Sequence, residues 1–222
     1  MDKRLKTLSQ WIRKSTRRSR GLLVPVSGGS DSALIFWLLN QACPEKTLGV
    51  FVGKNLRNKA WFESVGTIRQ LPAPRGKEDK EARRWATFAS IAIAEDRWLV
   101  GSRNRSEQAL GNFSLSSRIA TFLPLAGVWK SDVMELCAIA QVPKQITDSS
   151  RRADPDCGRP KELAEIPLEL IDVFLKAKEG GAKRKTLRAL TTAQIKYLDG
   201  VYEVNQFRRH LPVVGPEVGT QN

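Results

Sequence analysis

Histidine occurs once in these 222 residues, at His210, cysteine three times, and tyrosine and methionine twice each. A single histidine excludes a zinc site built on two. It admits a Ser-His-Asp triad only if the C-terminal segment folds back over the rest. Cys43, Cys137 and Cys157 are scattered, with neither metal-ligand spacing nor a disulfide framework, as expected in a reducing compartment. No apolar run is long and charge-free enough to cross a bilayer, and no signal-peptide core stands near the N-terminus. The expectation is a cytoplasmic protein with no membrane partner. The chemistry that passes these filters is driven by positioning and charge neutralisation, with the nucleophile or base supplied by the substrates.

What the chain has in excess is positive charge, a formal +14 from 37 Lys and Arg against 23 Asp and Glu. Nucleic acid is one partner that such a surface suits. No aromatic stripe is interleaved with the basic runs, however, and an enzyme handling several phosphates gathers the same residues. Nucleic-acid binding is therefore held as the lesser expectation. The length suits one α/β domain spanning residues 1–222.

The chain is organised around Val24-Pro25-Val26-Ser27-Gly28-Gly29-Ser30-Asp31-Ser32-Ala33-Leu34. Leu22 to Val26 reads as a buried strand and Ala33 to Leu39 as a helix packed on a sheet. Between them, glycines let backbone approach a ligand, while Ser27, Ser30 and Ser32 add hydroxyls beside the amides of a helix N-terminus. That is an anion site suited to phosphate or pyrophosphate. The spacing and lysine of a Walker loop are absent. The string Ser-Gly-Gly-Ser-Asp-Ser after a strand resembles the pyrophosphate loop of the ATP pyrophosphatases, which split ATP into AMP and pyrophosphate. Asp31 needs a cation or hydrogen bond beside it, because a carboxylate repels phosphate.

Residues 1–20 carry eight basic side chains and one acid around an apolar spacing at Leu5, Leu8, Trp11 and Ile12, the pattern of a helix with one buried stripe. Arg17, Arg18 and Arg20 are expected to cap its C-terminal end. Thr47 to Val52 reads as a second strand, completing a βαβ beginning whose ligand crevice lies at the strands' carboxyl ends. Residues 55–76 give a weak pattern, with Trp61-Phe62 as a helix anchor and Leu71 to Gly76 as a loop. Lys77 to Asp96 reads as a helix with Trp85, Phe88, Ala89, Ala92 and Ile93 on its apolar face, and Arg97 to Val100 as a short strand. Phe113 to Phe122 is irregular, Trp129 to Ala140 helical, and Ser149 to Pro160 a polar loop too long for an idle connection. Helices are expected over Glu162 to Lys178 and Thr191 to Val204, joined by a basic hinge at Glu179 to Lys185.

Gly101-Ser102-Arg103-Asn104-Arg105-Ser106-Glu107 is similar to the Gly-Thr-Gly-Asn-x-Ser-Glu block of the ammonia-dependent NAD synthetases. Ala82-Arg83 precedes it at the family's interval. Pro124 to Lys130, followed by Val133 and Leu136, matches the family's leucine-rich turn and lysine. Ile166 to Leu175 resembles its late helix, and Asn205 to Pro212 its terminal signature. The resemblance implies a doubly wound parallel sheet flanked by helices, of the Rossmann-like ATP pyrophosphatase type, in a homodimer. It implies ATP as co-substrate, magnesium as cofactor, and deamido-NAD and ammonia as the other substrates, with a separate glutaminase as an optional partner. Ser27, Gly28, Gly29, Ser30, Asp31, Ser32 and Lys130 would hold ATP and pyrophosphate, with Asp31 and Lys130 catalytic. Arg83, Asn104, Arg208 and Arg209 would hold deamido-NAD, and Glu107 with Ser150 would meet the metal. The alternatives are adenylation of another acceptor, such as a tRNA base, and a nucleotide-binding relative without catalysis. Three departures from the family's pattern stand out. Ser149 to Pro155 replaces a Pro-Ser/Thr-Ala-x-Leu segment, Lys161 to Glu165 lacks the family's acidic pair in register, and Phe207 replaces its tail histidine.

Overall fold

Gly21–Pro25 (β1) is buried along almost its whole length and forms the centre of a parallel sheet. The structure, a computed structural model, describes residues 2–74, 79–151, 161–180 and 184–209. Thr47–Val52 (β2) pairs with one side of β1 and Arg97–Leu99 (β4) with the other, while Ile68–Leu71 (β3) pairs with β2. The order is therefore β3-β2-β1-β4. The chain moves outward from β1 through β2 to β3, then crosses back to place β4 on the far side. That reversal opens a crevice between the carboxyl ends of β1 and β4, where ligands of doubly wound sheets bind. Val100 adds a parallel bridge to Phe122 just beyond β4.

Lys3–Ser15 (α1) and Ser30–Ala42 (α2) cover one face of the sheet, and Lys80–Ala94 (α4) packs against β1 and β4 on the other. Leu22, Val24, Leu34, Phe36 and Leu38 lie in the core beneath α1 and α2. Leu23, Val50, Leu99, Phe88 and Ala92 form the core under α4. Continuous apolar runs in β1 and β2 are what a sheet covered on both faces requires. Lys59–Val65 (α3) buries Phe62 against Phe36, with ring centroids 6.1 Å apart, as the Trp61-Phe62 anchor implied. A third apolar cluster joins Arg105–Leu110 (α5), Lys130–Ile139 (α6), Leu168–Lys178 (α9) and Thr192–Val204 (α10).

Several expectations change. β3 is a strand that includes Leu71, which the sequence reading put in a loop; as a half-exposed edge strand with Arg69 and Gln70 it carries little apolar signal. Lys144–Arg151 (α7) is a helix anchored by buried Ile146, so Ser149 and Ser150 form its last turn rather than the start of the polar loop; residues 152–160 lie outside the described residues. The helix expected from Glu162 to Lys178 is two, Lys161–Ala164 (α8) and α9, because Pro167 caps the second. Ile93 is 82% exposed, one step round α4 from the buried face of Phe88 and Ala92. On α1, Leu5 and Ile12 are buried, whereas Trp11 is partly exposed and stacks on Phe122 at 5.1 Å. The cations at helix ends also differ from those expected. Arg13 caps α2 instead, donating to the carbonyls of Ala42 and Gln41, and Lys46 donates to those of Thr16 and Arg17. Residues 75–78 of the weak segment, 181–183 of the hinge, and His210 to Pro212 of the tail lie outside the described residues.

A Cβ on Gly49, in β2, would lie 2.8 Å from the Phe36 ring and collide with Ile68. Gly49→Val should cost about 1–3 kcal/mol by overpacking the junction of β2, β3 and α2. The check is urea denaturation, where an unchanged midpoint would show that the junction can yield.

Candidate functional site

After β1 the backbone turns through Val26–Gly29 into α2. Gly28 makes the turn with φ +82°, a left-handed conformation in which a side chain is strained. Gly29 is the N-cap of α2 and offers no side chain. The loop is closed by its own serines. Ser27 N–H donates to Ser32 Oγ at 3.2 Å, the two hydroxyls lie 3.0 Å apart, and Gly29 N–H donates to Ser27 Oγ at 3.3 Å. These are soft contacts that a phosphate oxygen can replace at a helix N-terminus.

Asp31, in the first turn of α2, turns toward the β1/β4 crevice. Its Oδ1 accepts from Asn104 Nδ2 at 2.9 Å, and its Oδ2 forms an ion pair with Lys130 Nζ. Lys130 Nζ also donates to Ser30 Oγ at 2.9 Å. The Lys130 and Asp31 side chains are 9% and 17% exposed, so the pair is held largely out of water. Chain positions 31, 104 and 130 thus meet at one point, at the ends of three elements. The cation that Asp31 needed is Lys130. The structure turns Asn104, expected on the dinucleotide, onto Asp31.

The Asn104–Glu107 pair forms a capping box on α5: Glu107 N–H donates to Asn104 Oδ1 at 2.9 Å, and Asn104 N–H donates to Glu107 Oε2 at 3.2 Å. Asp31 and Glu107 therefore both converge on Asn104. Magnesium is usually held by one or two carboxylates together with substrate phosphates, and the Glu107 carboxylate, beside Asn104, has the oxygen chemistry for that demand. Among the described residues no group of three or more His, Cys, Asp or Glu could hold a metal without phosphate. Ser150 closes over the phosphate loop from α7, its Oγ accepting from Ser30 N–H at 3.2 Å.

The three arginines lie apart from this cluster along the chain, and the two of the tail have their contacts elsewhere. Arg83 is half-buried near the start of α4. Arg208 and Arg209, on Gln206–Arg209 (α11), turn their guanidinium groups onto their own chain. Arg208 donates to the Phe113 carbonyl at 3.0 Å; Arg209 donates to the Tyr202 carbonyl and lies 3.8 Å from that ring's centroid. The contacts expected with substrate are here tail-docking contacts.

Three features escaped the sequence reading. Arg103, which stands where the synthetase block has glycine, is buried with its guanidinium 3.9 Å from the Phe113 ring. Burial, with Arg118 nearby, pulls it below the usual arginine range. Cys137 of α6 lies under the loop, its thiol 3.6 Å from the Ser30 carbonyl; burial and the Asp31 carboxylate push it up to about 12. Asp172 of α9 is 1% exposed. It was legible as a misfit, because Leu168, Ile171, Asp172 and Leu175 follow the i, i+3, i+4, i+7 spacing of a buried stripe.

A family model described as NAD synthase matches residues 73–212. The NH(3)-dependent NAD(+) synthetase of Mycoplasmopsis pulmonis is 26% identical over 201 residues, covering 78% of each chain. That of Methanoregula boonei is 28% identical over 202 residues, covering 77% of this chain and 80% of its own. Among solved structures, the NH3-dependent NAD synthetase of Campylobacter jejuni superposes with a TM-score of 0.75 at 19% identity, covering 97% of this chain and all of the other. NMN synthetase from Francisella tularensis gives the same TM-score, 0.75, at 17% identity, covering 96% and 97%. Equal likeness to both shows the fold and does not select a product.

Two outcomes test the site. Asp31→Ala leaves a buried ammonium without its counter-charge and should cost about 3–5 kcal/mol. Thermal unfolding of the variant checks it, and an unchanged midpoint would show that the pair adds nothing to the fold. Cys137 should resist iodoacetamide at pH 8 in the folded protein, since its thiol stays protonated until about 12. Mass spectrometry after unfolding should then find it newly labelled, and labelling before unfolding would mean that the loop is open.

Proposed function

Since the chain belongs to the NAD synthase family, we propose that it is an ammonia-dependent amide ligase converting deamido-NAD to NAD at the expense of ATP. The observation that carries the reading is the meeting of the phosphate loop with two family landmarks, Asn104 and Lys130, on the single carboxylate of Asp31. In the first step the carboxylate of deamido-NAD attacks the α-phosphorus of ATP. The bond to the bridging oxygen breaks, and pyrophosphate leaves with the electron pair. In the second step ammonia attacks the acyl carbon, loses a proton, and AMP departs.

The roles follow from position. The Ser27–Ser32 loop cradles the leaving pyrophosphate with backbone amides and hydroxyls. Lys130, poised on Asp31, transfers its contact to phosphate oxygens as their charge grows. Such stabilisation acts on the transition state more than on bound ATP. When bound, magnesium held by Glu107 and phosphate oxygens would neutralise further charge on the leaving group. Ser150 keeps an amide of α2 occupied until phosphate arrives. Arg83, Arg208 and Arg209 remain candidates for the dinucleotide, the last two only if the tail releases its present contacts. No step calls on a histidine.

The family resemblance supports one domain over 1–222, a homodimer and a cytoplasmic location. Among the described residues no helix is long and apolar enough to cross a membrane. Free ammonia, or ammonia from a separate glutaminase, is the nitrogen source. The tRNA-base reading is not favoured, because the family match is to the amide-forming enzymes. Part of the basic charge also serves internal contacts, such as Arg4 with Asp132 and Glu135. Retention of the Asp31–Lys130 pair argues against a non-catalytic relative.

Purified protein with ATP, magnesium, ammonium and deamido-NAD should yield AMP and NAD in equal amounts. AMP formed only on addition of tRNA would overturn the reading. Lys130→Ala should lower kcat by about 10²–10³, the scale for losing one preorganised transition-state contact.

A further inference from the structure

Lys130 is the first residue of α6, and that helix begins without a cap of its own: Trp129 stands at the N-cap and makes no side-chain bond to the first turn. The first two amides of the helix are satisfied from elsewhere. Lys130 N–H donates to Ser106 Oγ at 2.8 Å, and Ser131 N–H donates to Asp172 Oδ2 at 2.8 Å. Ser106 and Asp172 are themselves hydrogen-bonded through Ser106 Oγ and Asp172 Oδ1. The direction of that bond is forced. A carboxylate only accepts, so the hydroxyl proton of Ser106 goes to Asp172 and its lone pair is left for the Lys130 amide. Ser106 is 7% exposed and Asp172 1%, so water does not substitute for either.

We infer that Asp172, acting through Ser106, is the positioning residue that fixes Lys130 for catalysis. It caps α6 in trans from α9, with α5 as the relay. An ammonium-bearing residue at a helix N-terminus sits at the positive end of the dipole, and a buried carboxylate at the same end offsets that penalty. The geometry does more than stabilise. Lys130 reaches Asp31 and Ser30 from a backbone whose own N–H is held by Ser106, so backbone and ammonium are pinned at opposite ends of one side chain. Asp172 does not touch the loop or Asp31 in the bonds it makes. Its influence runs through the first turn of α6.

The kinetic consequence rests on the amide-ligase reading; the capping itself does not. Two measurements keep them separable. In hydrogen exchange, Asp172→Asn should raise the rate at the amides of residues 130–133 by at least about tenfold, the loss expected when a cap is removed, with β1 amides unchanged. Unchanged protection at 130–133 would overturn the inference. In turnover, Asp172→Asn should lower kcat by about 10- to 100-fold, with KM for ATP within about threefold, because a misplaced Lys130 weakens the transition state rather than ground-state binding. Ser106→Ala should reproduce both effects, and it decides the matter if Asp172→Asn fails to fold. In a Lys130→Ala background, Asp172→Asn should bring no further loss of kcat. A further loss there, or a normal kcat in both single variants, would reduce Asp172 to a structural role and overturn the inference. If the wild-type protein makes no NAD, the ligase reading falls and the exchange result still decides the capping.

Discussion

The ion pair between Asp31 and Lys130 is the contact on which the rest of the site depends. Each charge alone would be costly at this depth, and each makes the other tolerable. Together they let a carboxylate stand at the lip of a phosphate loop and a lysine stand at a helix N-terminus, two placements that electrostatics otherwise disfavours. The pair also leaves the lysine ready to exchange partners. A phosphate entering the loop would offer Lys130 a competing anion at the moment its own negative charge is growing.

The doubly wound topology explains why these residues can meet. The reversal of strand order puts the end of β1, with the loop and α2, beside the end of β4, from which Asn104 and α5 continue. α6 then brings Lys130 to the same crevice against the buried face of α2. The tail reinforces the arrangement from outside. Gly111, at φ +69°, lies so close to Asn205 that a Cβ would meet its backbone carbonyl oxygen at 2.7 Å, and Arg118 donates to the Arg208 carbonyl at 2.8 Å. α11 is thereby docked beside α5, the helix that presents Ser106 and Glu107.

Much of this could be read before the structure, and for identifiable reasons. β1, β2 and the middle of α2 are buried and so write a strong apolar signal; the loop between β1 and α2 is marked by its glycines and serines. Lys130 stood out through the leucine-rich turn that leads into it from Pro124. What could not be read were relations across the chain. Asn104 looked like one more polar residue of a ligand block, and only its position opposite Asp31 gives it a partner. Ser106 and Asp172 are 66 positions apart, and nothing local says that one donates a hydrogen bond to the other. β3 was missed because an edge strand with Arg69 and Gln70 has no periodicity to detect. α7 was missed because a short polar helix is held by one buried side chain, Ile146, rather than by a stripe. Arg208 and Arg209 were noticed as part of a tail motif, but their partners here, the carbonyls of Phe113 and Tyr202, are again relations that no local pattern announces.

The most direct test of the account is a crystal structure of the protein with magnesium and a non-hydrolysable ATP analogue. The account predicts the β- and γ-phosphates against the amides of residues 28–30, with Lys130 Nζ moved from Asp31 onto a phosphate oxygen. Phosphates bound away from that loop, or a Lys130 still paired with Asp31 while the nucleotide is in place, would contradict it.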